Sequence, residues 1–344
     1  METRVLLPTE ENISFAARLL NDGEVVGMPT ETVYGLAANA FDGNAVEKIF
    51  RAKGRPQDNP LIVHIDSMER LEQVAAEMPE TASRLAERFW PGPLTMILPK
   101  NSRIPAAVTA GLDTVAVRFP SHKVALALIR EADMPLAAPS ANLSGSPSPT
   151  TANHVYNDLN GRIPAILDGG SCEYGLESTV ILLNRDGSVT LLRPGGVTVE
   201  MLEQAVPQVR IDQGVLHAVQ EGEAVLSPGL LHKHYSPRAN VVILDCGFET
   251  FAEFLDQHVD GKTGALVFEG EERFLSVPCV TFGREEDPII QARLLFGALR
   301  AVDEMGVDTI YARMPNPDGI GLAIYNRLLR AAGFEVLRLP GKNV

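Results

Sequence analysis

The chain has 344 residues, of which 45% are hydrophobic and 22% charged, a composition that suits a globular protein of two domains. Its formal net charge of -14 weighs against an extended phosphate-backbone surface, because non-specific nucleic-acid affinity comes from clustered cations. The three cysteines, Cys172, Cys246 and Cys279, have no zinc- or haem-type spacing and point to a reducing compartment. The amino-terminal segment lacks the basic start, apolar core and cleavage site of a signal peptide. No stretch nears the roughly 18 apolar residues of a membrane helix, so a cytoplasmic protein is expected.

Residues 13–20 have the spacing of a short amphipathic helix capped by Asn12. Residues 24–28 predict a strand that Pro29 ends, leading into PTETVYGLAANA. There Thr30 and Thr32 can cap a new helix, or Thr32 can face a small polar ligand beyond a strand's carboxyl end. Next, Ala45, Val46, Ile49 and Phe50 form one apolar stripe at a 3.6-residue period. Gly54 sits where a helix end takes a left-handed residue, and Pro56 blocks continuation. The stretch KIFRAKGRPQDNPLIVHI therefore predicts a helix, a short basic loop and a strand over 61–65. Lys53 and Arg55 are fixed at that junction, and in so acidic a chain they point to an anionic ligand. His64 shares a strand face with Ile62, and a lone histidine there is more often structural than catalytic.

Residues 68–89 read as one helix, ending at a rigid turn through Trp90, Pro91, Gly92 and Pro93. In TVAVRF (114–119), Val115, Val117 and Phe119 face one way, and Thr114, Ala116 and Arg118 the other. If that strand is central, Arg118 must be paired, since an unpaired buried charge costs several kcal/mol, and its planar fork suits a carboxylate. In PLAAPSANLSGSPSPT (135–150) a strand end meets a loop whose Ser140, Asn142, Ser144 and Ser148 offer small donors. A strand is expected at 163–167, then Ser178 and Thr179 open a strand over 180–183, and Arg193 ends the strand in TLLRPGG.

Residues 211–239 sustain no period and contain Pro228 and Pro237, which predicts an extended linker. His232 and His234 in its HKHY cluster have no third ligand nearby, so no metal site built from side chains is expected. From Asn240 onward, strands at NVVILD, GALVF, VPCVTF, VDTIYA and FEVLRL alternate with helices over 248–258, 287–305 and 320–332. That alternation predicts a mainly parallel sheet in a small Rossmann-like α/β domain. Neither a G-x-G-x-x-G after its first strand nor a Walker-type glycine loop anywhere is present, so nucleotide binding would use another device. The expected division is 1–210, a linker over 211–239, and 240–344.

Taken together, PTETVYGLA (29–37), KGRPQDNPLIVHI (53–65), WPGPLT (90–95), TVAVRFP (114–120), APSANLSG (138–145), STVI (178–181) and LLRPGG (191–196) resemble the YrdC family. SPGLLHKHYSP (227–237) is similar to the interdomain motif of that family's longer members, which are threonylcarbamoyl-AMP synthases. The resemblance implies a twisted open mixed sheet with helices, followed by the Rossmann-like domain on a linker that reaches the active site. It implies a nucleotidyltransferase that converts L-threonine, bicarbonate or CO2, and ATP into threonylcarbamoyl-AMP and diphosphate. That is the first step of threonylcarbamoyl-adenosine formation in tRNAs reading ANN codons.

On the same resemblance, Lys53 and Arg55 hold the triphosphate and serve catalysis, with Mg2+ carried mainly by the phosphates. Thr32, His64, Arg118, Ala138 and Ser178 line the threonine site, where Arg118 clamps the carboxylate. Asn59, Thr114, Ser140, Ser148, Arg193 and Tyr235 surround the nucleotide, Tyr235 reaching it from the linker. Whether His64 is a base or only positions substrate stays open. The implied partner is the downstream tRNA threonylcarbamoyl transferase machinery, reached by transfer of the intermediate. An RNA-binding module and a carbamoyl-transfer enzyme are the alternatives. Net charge disfavours the first, and the absence of cysteine pairs for a zinc-finger region disfavours the second.

Overall fold

The computed structural model describes residues 2–217, 235–258 and 260–340, and the chain divides into two compact units. The first holds residues 2–144 and 148–215, and the second holds 145–147, 216–217 and the described residues from 235 on. Residues 218–234, which include most of the expected linker with His232 and His234, lie outside the described residues.

Among the described residues, the first unit's sheet begins with β1 (Arg4–Leu6), β2 (Val26–Met28), β3 (Gly35–Asn39), β4 (Ile62–His64), β5 (Leu94–Pro99) and β6 (Thr114–Arg118). It continues with β7 (Leu136–Ala137), β8 (Ala165–Leu167), β9 (Thr179–Leu183), β10 (Val189–Arg193) and β11 (Val209–Ile211). Their order across the sheet is β1-β8-β2-β3-β7-β4-β6-β5-β9-β10-β11. The sheet is mixed: β4 runs parallel to β6 and β5 to β9, whereas β2 and β3, and β5 and β6, are antiparallel.

The helix Gly43–Lys53 forms as its periodicity predicts, burying Ala45, Val46, Ile49 and Phe50. Ile49 and Phe50 each contribute about 1.5–3 kcal/mol by leaving water. Gly54 closes it at φ 64°, and Arg55 N donates to the Phe50 carbonyl at 3.0 Å, the wrap of a Schellman cap. The chain then enters β4 with both cations held at the junction.

Three local expectations change. The first helix runs Glu10–Asn21 and is capped by Thr9, whose Oγ1 accepts from Asn12 N, so Asn12 is inside the helix. PTETVYG starts no helix. Thr30 bonds its own turn, accepting from Thr32 N and Val33 N, and β3 follows instead. Residues 68–89 form two helices, Met68–Val74 and Glu80–Phe89, because Ala75 turns extended to bridge Lys100 and Pro79 opens the second.

In the second unit β12 (Asn240–Asp245), β13 (Thr263–Val267), β14 (Cys279–Thr281), β15 (Thr309–Arg313) and β16 (Val336–Arg338) pair in parallel throughout. The helices Phe248–Gln257, Pro288–Val302 and Gly321–Ala331 alternate with them as expected. The order β14-β13-β15-β12-β16 differs from the order of a dinucleotide-binding sheet, because β15 inserts between β12 and β13. Arg313, buried at the end of β15, is satisfied within the unit by Glu271 at 3.0 Å and the Cys246 carbonyl at 2.6 Å. No helix of the described residues is long and apolar enough to cross a membrane.

Candidate functional site

Strand register builds a polar row in the middle of the first sheet. His64 on β4 stands opposite Arg118 on β6, and Thr95 on β5 stands opposite Arg118 from the other side. Opposed residues share a face, and that face is apolar further along, with Ile62, Ile97, Ala116, Val180 and Leu192 in one cluster. The row lies where the apolar lining stops, at the carboxyl ends of β4 and β6.

Because β6 is interior, Arg118 is 3% exposed and requires an anion. The structure supplies Glu31, whose Oε1 lies 2.5 Å from Nη2. Nη1 donates to Thr32 Oγ1 at 2.7 Å, and Nε to the Gly92 carbonyl at 3.3 Å. Glu31 lies between Thr30 and Thr32, the residues that sequence reasoning singled out, and it was passed over. The need of a buried arginine for a carboxylate was the signal that could have found it. The two charges are in direct contact, without a well-aligned hydrogen bond between Nη2 and the Glu31 oxygens. Burial pushes the Glu31 carboxyl up, yet the Arg118 guanidinium together with the backbone N–H groups of Glu31 and Ser121 holds it below its ordinary value, so Glu31 is ionised.

His64 is buried as well. Burial first, then the neighbouring Arg118 charge, pushes its imidazole down to about 3, and its Nδ1 has no hydrogen-bond partner. It is therefore neutral near pH 7. The unfolded imidazole titrates near 6.5, so as pH falls the unfolded chain takes up the proton first. Stability is intact above about pH 6.5 and falls toward pH 3 by up to about 1.4 kcal/mol per pH unit. Urea unfolding at about pH 7.5 and about pH 5 checks this. Wild type loses more stability than His64→Gln, and equal losses would contradict the assignment.

The row continues through hydroxyls. Thr95 Oγ1 and Ser178 Oγ are 2.8 Å apart, and Arg193 donates to Ser178 Oγ at 3.2 Å and to its carbonyl at 3.0 Å. Thr95, absent from the sequence-based set, thus joins the arginine row to Ser178 and Arg193. Its place on a strand inside WPGPLT gave no polar signal by itself.

Lys53 is 2% exposed rather than displayed on the turn. Its Nζ donates to the Ser140 carbonyl at 2.5 Å and the Asn142 carbonyl at 2.6 Å, and Ser144 N donates to the Lys53 carbonyl at 2.9 Å. The basic turn and the 140–144 loop are thereby stapled together. Arg55 Nη2 lies 3.5 Å from the Asn59 carbonyl and 3.4 Å from that of Pro60, while buried Asn59 keeps an Oδ1 with no hydrogen-bond partner. Ala138 N donates to the Ile62 carbonyl at 2.9 Å, beside β4. Ser148 is fully buried and donates to Glu177 Oε1 at 2.5 Å, bringing in a second carboxylate that sequence reasoning missed. Thr114 opens β6, about 13 Å along the strand from Arg118. Tyr235 belongs to the second unit, with φ 63° and its ring 5.1 Å from that of Phe296.

The structure therefore groups Thr32, His64 and Arg118 with Glu31, groups Ser178 and Arg193 with Thr95, and groups Lys53 with Ser140. Buried charge, a neutral imidazole acceptor and hydroxyls suit the binding of a small charged molecule. No hydroxyl of the row is paired with His64 as a nucleophile would be.

A family profile described as telomere recombination, covering Sua5, YciO and YrdC, matches residues 18–195. A second, described as threonylcarbamoyl-AMP synthase, C-terminal domain, matches residues 197–333. The threonylcarbamoyl-AMP synthase of Bacillus subtilis is 47% identical over 98% of this chain and 97% of its own length. That of Pyrococcus abyssi is 45% identical over 96% of both. The crystal structure of P. abyssi Sua5 complexed with L-threonine matches with a TM-score of 0.91 at 43% identity, over 98% of this chain and 99% of that one.

Proposed function

The chain belongs to the Sua5, YciO and YrdC family, and on that premise we propose that it acts as a threonylcarbamoyl-AMP synthase. The observation that carries this is the match to named synthases along both units. L-Threonine, bicarbonate and ATP are converted to threonylcarbamoyl-AMP and diphosphate. The amine is first carboxylated by bicarbonate with loss of water and of one proton to solvent. The carbamate oxygen then attacks the α-phosphorus of ATP as the bond to the departing diphosphate breaks.

The site's chemistry fits each need. Arg118 takes the threonine carboxylate on the donors of its fork that Gly92, Thr32 and Glu31 leave over. Thr32, His64, Ala138 and Ser178 line the amino acid. His64, neutral and a very weak base, positions substrate and does not take its proton. Lys53 and Arg55 hold the triphosphate and offset charge on the departing diphosphate, a task for fixed cations rather than a covalent nucleophile. Asn59, Thr114, Ser140, Ser148 and Arg193 surround the nucleotide, and the partnerless Asn59 Oδ1 awaits a donor such as an adenine amine.

The nucleotide surface also fits Mg2+ carried on phosphates, since Glu177 beside Ser148 adds a carboxylate to it and Mg2+ commonly takes one or two. When bound, that ion neutralises charge on the phosphates. The product is a hydrolysable mixed anhydride, so a transferase that passes the threonylcarbamoyl group to tRNA is the downstream partner, and the cytoplasm is the compartment.

Diphosphate release with ATP, bicarbonate and L-threonine together tests this. Release that falls to background when threonine is omitted or replaced by D-threonine is expected. Release indifferent to threonine would overturn the function. A carbamoylated product formed from carbamoyl phosphate without ATP, with orthophosphate rather than diphosphate released, would favour carbamoyl transfer.

A further inference from the structure

The roles above leave Glu31 without a substrate group, although it is buried at the centre of the row. It is 2% exposed and ionised, and its oxygens lie against Arg118, Oε1 at 2.5 Å, without a well-aligned hydrogen bond. A buried carboxylate whose hydrogen bonds are poorly aligned gains from a further donor. Arg118 meanwhile is held by hydrogen bonds to Thr32 and Gly92 and by the Glu31 charge. The pair is electrically neutral, so a ligand that brings only a carboxylate sets two anions on one arginine. A ligand with an ammonium beside its carboxylate matches both members.

We propose that Glu31 receives the α-amino group of the amino-acid substrate and makes the site select the zwitterion over the matching 2-hydroxy acid. The inference rests on the assignment of this row to the amino acid. Its neighbours are poorer receivers for a cation. His64 carries no charge near pH 7 and sits beside the positive Arg118, and Thr32 Oγ1 already accepts from Arg118 and bonds Thr30 Oγ1 at 2.9 Å. Glu31 sets a full negative charge and two oxygens directly beside the Arg118 fork, as the adjacent ammonium and carboxylate of one α-amino acid require. Once the amine is carboxylated, its nitrogen keeps one N–H for the same bond. Repulsion from Glu31 then turns the new carboxylate away from it.

Isothermal titration of the full chain with L-threonine, with 2,3-dihydroxybutanoate of the same configuration, and with ATP decides the matter. Glu31→Gln is expected to weaken L-threonine by about 10- to 100-fold, the loss of one charged hydrogen bond. The hydroxy acid and ATP should change less than about threefold. Glu31→Asp, which keeps the charge with a shorter reach, should retain part of the preference for threonine. Unchanged threonine affinity in Glu31→Gln overturns the proposal. Equal weakening of threonine and the hydroxy acid also overturns it, because that pattern marks a role through Arg118 alone. If Glu31→Gln fails to fold, Glu31→Asp carries the test, and loss of both ligands to the same degree counts against it. Wild-type protein that binds no L-threonine overturns the site assignment itself.

Discussion

Replacing Arg118 by Ala raises the L-threonine concentration needed for half-maximal diphosphate release by about 100-fold, and shifts the ATP requirement by less than about threefold. The asymmetry follows from position. Arg118 lies on an interior strand, opposite His64 and Thr95, whereas Thr114, assigned to the nucleotide, opens the same strand about 13 Å away. The substitution also costs about 3–5 kcal/mol of stability, because it strands Glu31 as a buried charge. Steady-state kinetics below the melting transition separates the two effects. Arg118→Lys restores charge without the planar fork and recovers stability better than threonine affinity. Equal damage to both substrates' requirements would remove the carboxylate clamp.

Lys53→Ala lowers the rate of diphosphate formation at saturating substrates by about 100- to 1,000-fold, the usual loss when one fixed charge facing a reacting group is removed. It acts in a second way as well. Lys53 Nζ ties the Ser140 and Asn142 carbonyls to the basic turn, so its loss leaves two buried acceptors and loosens the 140–144 loop. Faster amide exchange over 140–144 should accompany the kinetic defect, with threonine affinity nearly unchanged. A variant that forms diphosphate normally, or that loses only threonine binding, would contradict the assignment.

The local chemistry of the site was readable where one residue type admits one conformation. Gly54 and Pro56 closed the helix and delivered Lys53 and Arg55 to a junction, and the alternation in TVAVRF put Arg118 on the face with Ala116. The requirement that a central Arg118 be paired was readable too. Its partner was missed because the carboxylate came from a loop 87 positions earlier, seated over β6 by strand order rather than by sequence spacing. Thr95 and Glu177 escaped for the same reason, since each acquires meaning only from a hydrogen bond across the sheet or between loops. Residues 68–89 looked like one helix because their apolar period runs on through Pro79; a bridge from Ala75 to Lys100 breaks it. The family motifs named the substrates without showing that Lys53 is buried and bound to backbone carbonyls.

In the proposed reaction one site joins threonine, bicarbonate and ATP through a carbamate, and the threonine carboxylate is not adenylated. Mass spectrometry of a reaction run with isotopically labelled bicarbonate tests it most directly. Labelled threonylcarbamoyl-AMP formed in step with diphosphate is expected. Diphosphate accompanied by an unlabelled threonyl-AMP, or by AMP alone from the first turnover, would contradict it.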